Sequence, residues 1–181
     1  MADYNYELSW MAAFKAYTAK QFGKDSLVPL ILAATFTAMA YLQKTLALPA
    51  MIVKVCEIMI ALLPAFISIL IAAFAIWISF FLSNTIDFIK KSDDGRTLLN
   101  ELNASFLIEI GFSIIGMLFV LSVLLISGMG FAIEEAIAEF INTMVLLVLL
   151  FVCFAVIWWL IYIAKNLHNI AKFTILYENL V

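Results

Sequence analysis

Residues 58–82 read IMIALLPAFISILIAAFAIWISFFL, an uninterrupted run with no charged side chain. A helix needs about 20 apolar residues to cross the roughly 30 Å hydrocarbon core of a bilayer. The run is therefore predicted to span a membrane, with Pro64 bending it.

Three further stretches of the same kind flank it. The first covers about 27–48. Asp25 or Ser26 caps it, Pro29 sits in the first turn where no N–H partner is needed, and Lys44 can snorkel to the headgroups at the far end. Pro49 then breaks the chain, and the second helix starts near Ala50. No helix breaker follows until Ser92-Asp93-Asp94-Gly95, which reads as a turn, so this helix is expected to continue to about Ile89. The third span covers about 104–126, preceded by a polar helical turn or two from Thr97 and ended by Ser127-Gly128-Met129-Gly130. The fourth covers about 140–163. Trp158, Trp159 and Tyr162 mark one end of it as an interfacial aromatic belt. Residues 166–181 form a short tail, either cytosolic or a continuation of the helix.

Ahead of the spans, residues 1–24 carry Tyr6, Trp10, Phe14 and Tyr17 at helical spacing, with Lys15 on another face and Glu7 and Lys20 flanking. Asp3 can cap this helix and Gly23 can end it. The pattern suits an amphipathic helix lying in the membrane interface or packed on the cytosolic ends of the bundle. The fold expected is all-α: an integral membrane four-helix bundle with an N-terminal amphipathic interfacial helix, one domain over 1–181.

Composition agrees. Apolar residues make up 66% of the chain and charged residues 13%, against about 25% charged in soluble domains; the apolar surplus must face lipid. A net charge of −3 without clustered Lys and Arg argues against nucleic acid. Cys56 and Cys153 are expected at different membrane depths and not bridged. The N-terminus lacks the basic start and apolar core of a secretory signal. His168 is the only histidine, and no cysteine-rich cluster accompanies it, so no metal site is expected. Nucleophile–base arrangements and glycine-rich phosphate loops are absent from the sequence. The chain is read as a non-enzyme without cofactor or catalytic residue.

Lys15, Lys20, Lys24, Lys90, Lys91, Arg96, Lys165 and Lys172 fall on one side of the predicted spans, and only Lys44 and Lys54 on the other. The positive-inside rule places the first set, both termini and the central turn in the cytoplasm.

Three constellations are candidates for function. In the second helix Ala61, Ala65, Ser68, Ala72, Ala75 and Ser79 are spaced to occupy one narrow arc at about 100° per residue. The arc extends outward to Glu57, Lys54 and Ala50, and inward to Ser83 and Lys90. Phe66, Leu70, Phe74, Trp77 and Phe81 hold the opposite face and look toward lipid or a partner. Small residues let helix backbones approach closely; the arc reads as a packing seam within or between subunits, or as a pore lining. The second candidate is Glu109, about 7 Å past the start of the third span at 1.5 Å per residue. Ser105, Ser113, Gly116 and Ser127 share its face. An intramembrane acid is a functional candidate: it binds a proton or cation, pairs with Lys165, or snorkels to the headgroups. The third is the outer acidic cluster Glu134, Glu135 and Glu139. It reads either as a cation-attracting ring in an oligomer or as ordinary acids at a helix start.

The layout resembles small four-helix membrane proteins encoded beside bacterial anti-phage genes, such as the membrane subunit of the Kiwa system and CRISPR-associated membrane accessory proteins. The likeness covers the whole chain as length, four spans and cytosolic termini, and carries no residue over. The small multidrug exporters also have four spans and a membrane glutamate, but in their first span rather than the third. The resemblance implies a homo-oligomeric inner-membrane subunit of a bacterial defence or stress system, sensing or perturbing the bilayer and docking a cytosolic protein partner. Two alternatives stand beside it: a stand-alone oligomeric channel or holin-like pore, and a small proton-coupled transporter using Glu109.

Overall fold

The computed structural model describes residues 19–43, 48–82, 93–129 and 134–178. Among them the chain forms four helices and no strand: α1 (Ala19–Leu42), α2 (Leu48–Leu82), α3 (Asp93–Ser127) and α4 (Glu135–Glu178). Each contains a stretch long and apolar enough to cross a bilayer, over Gly23–Leu42, Leu48–Ser79, Leu102–Ser127 and Glu135–Asn169. The protein is an all-α four-helix bundle of the multi-pass membrane class.

Several boundaries differ from the sequence reading. α1 runs unbroken through Gly23, Asp25 and Ser26, so Gly23 ends no separate helix and neither polar residue starts a new one. A helical glycine costs only about 1 kcal/mol, and no proline intervenes between Gly23 and the apolar run. Residues 19–24 thus belong to the first spanning helix, while most of the expected amphipathic helix, residues 1–18, lies outside the described residues. α2 takes Pro49 into its first turn, where a missing N–H breaks no helical bond. α3 begins at Asp93, inside the cluster expected as a turn. The expected extension of α2 to Ile89 falls on residues outside those described. α4 starts next to Glu134, whose carbonyl accepts from the Ala138 N–H at 2.9 Å. It continues to Glu178, so much of the tail at 166–181 is helix.

α4 is the hub. α1 packs chiefly on α4, α2 packs on both α3 and α4, and α3 also touches α4. Two apolar clusters result. One gathers Ile52, Met59 and Leu63 of α2, Val120 of α3, and Leu146, Leu149 and Val156 of α4. The other holds Leu70 and Trp77 of α2, Leu102 and Phe106 of α3, and Ile163 of α4. Cys56 and Cys153 are both free and both join the first cluster. The predicted aromatic belt is split: Trp158 is 37% exposed, but Trp159 is buried and meets Phe112 edge-on at 4.7 Å.

Candidate functional site

The small-residue arc of α2 faces outward. Ala61, Ala65, Ser68, Ala72, Ala75 and Ser79 are all exposed, as are Ala50, Lys54 and Glu57 where the arc continues. Lys90 and the side chain of Ser83 lie outside the described residues. The arc therefore seals no contact inside the subunit. The opposite face does that instead: Leu70 and Trp77 are each 1% exposed, Phe66 and Phe74 are half-buried, and Phe74 lies against Phe106 at 5.6 Å. This corrects the expectation that Phe66, Leu70, Phe74 and Trp77 look toward lipid or a partner; the side chain of Phe81 is outside the described residues. Helices in lipid associate through van der Waals packing. A buried Trp or Leu makes many more such contacts than a buried Ala, so the bulky face turns to the neighbouring helices. The Ser68 hydroxyl is already used, donating to the Pro64 carbonyl at 2.8 Å.

The seam that does close the subunit was missed in the sequence. On α1, Ser26, Pro29, Ala33, Thr37 and Ala40 are buried, recur at helical spacing and turn to α4, where Ala155 is fully buried. The Phe36 and Phe154 rings meet at a tilt, with 5.5 Å between their centroids. The signal was the same small-residue periodicity that marked α2, here interrupted by a proline and a threonine.

Glu109 is 2% exposed. It sits on the inward face of α3 with Ser105 and Ser113, both buried, and Gly116, also buried; Ser127 on the same predicted face is exposed. The Ser113 hydroxyl donates to the backbone carbonyl of Glu109 at 2.8 Å. Glu109 Oε2 has no hydrogen-bond partner. Lys165 is exposed and, among the described residues, no ion pair joins it to Glu109. On α1, Ser26 is buried with its Oγ unpartnered.

At the opposite end of the bundle, Glu134, Glu135 and Glu139 are exposed. Glu139 borders a cleft of about 470 Å³ between α1 and α4, into which the buried Thr37 also faces. A second cleft of about 580 Å³ opens between α2, α3 and α4 near Pro49 and Asn142. Among the described residues no three His, Cys, Asp or Glu side chains are grouped as a metal would need, and His168 is exposed.

Comparison with known protein families, curated proteins and solved structures finds no match for this chain. Its class rests on its own four membrane-length helices.

Proposed function

We propose that this chain is a homo-oligomeric subunit of the bacterial inner membrane that works through assembly in the bilayer. One observation carries the reading: Ala61, Ala65, Ser68, Ala72, Ala75 and Ser79 form an exposed strip about 27 Å long at 1.5 Å per residue, left over after the subunit has closed its own core. Small-residue strips are the usual contact surface between membrane helices. Lys54 and Glu57 continue the strip outward and are exposed, so two copies in parallel can offer each other opposite charges.

Docking of a cytosolic protein is supported by helix lengths. α4 has 44 residues, about 66 Å of helix, against roughly 30 Å of hydrocarbon. Helical surface therefore projects beyond the bilayer, with Lys165, His168 and Lys172 exposed on it. The lysine and arginine distribution supports a cytoplasmic position for that end. The layout shared with membrane subunits of anti-phage systems supports a role in defence or stress. A stand-alone pore has less support, since the strip offers water only Ser68 and Ser79 and conduction would need gating by dewetting.

The experiment is mass determination in detergent and in nanodiscs, paired with ion flux in liposomes of the pure protein. A defined oligomer without flux is expected. A monomer in both media would remove the proposal, and steady flux would favour the pore.

A further inference from the structure

We propose that the cleft between α1 and α4 binds an amphipathic amine, a protonated amino group on a single apolar chain. The cleft holds about 470 Å³, within the roughly 300–1,000 Å³ of small-molecule sites. Its two walls belong to helices that pack directly on each other, so the residues lining it share one frame. Thr37 is the observation that points to a ligand. Its side chain lines the cleft and is 6% exposed, yet Oγ1 has no hydrogen-bond partner. A helical threonine can settle its hydroxyl on the carbonyl one turn back. Thr35 does so on Ile31 and Thr143 on Glu139, each at 2.8 Å. Thr37 does not, although a buried hydroxyl left unmet is costly.

The rest of the lining selects the ligand. Among the described residues around the cleft, Glu139 is the charged one, and it is exposed. A carboxylate with no lysine or arginine beside it in that lining takes a cation and turns away a phosphate. An ammonium without an anionic group therefore fits, and a phospholipid headgroup does not. Phe140, Met144 and Leu147 of α4 give an alkyl chain its wall, and Ala34 and Ala38 of α1 are small enough to leave it room. A protonated amine carries N–H donors and no acceptor, as lysine does. It matches both an acceptor-only carboxylate and the lone pairs of Thr37 Oγ1, and hydrogen bonds from a charged donor are the stronger ones. Glu134 and Glu135 belong to the same acidic cluster but do not line the cleft, so the site is distinct from general attraction to an acidic helix start. The proposal stands whether or not the chain oligomerises.

The test measures binding of dodecylammonium to the full chain in phosphatidylcholine nanodiscs by equilibrium dialysis, with empty nanodiscs subtracted. Saturable binding is expected. Glu139→Gln should weaken it roughly tenfold or more, the loss of a charge-assisted hydrogen bond, while Glu134→Gln leaves it unchanged. Ala38→Leu, at an exposed lining position, should abolish binding and keep the melting temperature. Thr37→Val should weaken dodecylammonium but not dodecyltrimethylammonium, which has no N–H donor. Exchanging phosphatidylcholine for phosphatidylethanolamine should leave the affinity in place. Binding no greater than to empty nanodiscs would overturn the proposal, as would equal affinity in Glu139→Gln and Glu134→Gln. Competition by phosphatidylethanolamine would also overturn it, giving the cleft to a lipid headgroup.

Discussion

Gly116 of α3 lies directly against Val152 of α4: a Cβ built on Gly116 would stand 2.6 Å from Val152 Cγ1. Helical valine is held near one χ1 rotamer, so the methyl cannot swing away, and the helices themselves must separate. Gly116→Ala is expected to destabilise the bundle by about 1–3 kcal/mol, the usual range for overpacking. Val152→Ala in the same chain should restore most of the loss. Thermal melting in detergent measures both, and additive effects of the two changes would show that the contact is not made.

The α1–α4 seam makes a parallel prediction. Ala33 is fully buried and α1 packs chiefly on α4, so Ala33→Leu should loosen α1 without unfolding α2–α4. Limited proteolysis or hydrogen exchange would show α1 amides losing protection first. Ala34→Leu, one residue along and exposed, should leave protection unchanged.

How far the sequence could go is visible in these two helices. Span number and rough limits followed from unbroken apolar runs, because bilayer thickness imposes one length on every crossing. The arc of α2 was also legible as a face. Its partner was not, because lipid and a packed neighbour favour the same apolar residues and periodicity does not say which side is inward. The burial of Trp77 and the exposure of Ala72 therefore came as a reversal. Glu109 stood out as a charge in an apolar span, whereas its burial on the inward face of α3 depends on how the helices pack, and no local spacing encodes that.

Topology has a direct check. The positive-inside distribution puts position 96 in the cytoplasm and Gly128 outside. Single cysteines at these positions, with Cys56 and Cys153 replaced by alanine, would be exposed to a membrane-impermeant maleimide on intact cells. Position 128 should label and position 96 should not; the reverse pattern would invert the orientation.

Glu109→Leu separates a functional carboxyl from a structural one. Removing a buried oxygen without a partner relieves a penalty of about 1–3 kcal/mol, so the variant should melt no lower than the wild type. Ser113→Leu is the contrast. It adds bulk at a fully buried position one turn away and should lower the melting point by about 1–3 kcal/mol equivalent. If Glu109→Leu instead unfolds the bundle, the carboxyl is holding structure together.

The last prediction concerns the exposed strip of α2. Ala72 lies at its middle and makes no contact that closes the subunit, since it is exposed while its neighbours Leu70 and Trp77 fill the core. Ala72→Leu therefore adds bulk without disturbing the monomer fold, and thermal melting of the dissociated subunit should be unchanged. If two copies meet along the strip, the added bulk holds the backbones apart, and overpacking of about 1–3 kcal/mol at each copy should shift the oligomer toward monomer by roughly tenfold or more at fixed protein-to-lipid ratio. The control has to be chosen from the structure. Ala73, next in sequence, packs against the cluster around Phe106, so enlarging it would damage the core. Ile71 is 52% exposed and off the strip, which makes Ile71→Phe the proper comparison and one expected to assemble normally. Native-gel mobility and cross-linking in liposomes read out the oligomer, with flux recorded on the same samples. Loss of assembly in Ala72→Leu alone is the expected outcome. An intact oligomer whose flux is abolished would mean that the strip lines a pore, and equal assembly in all three chains would leave the strip facing lipid.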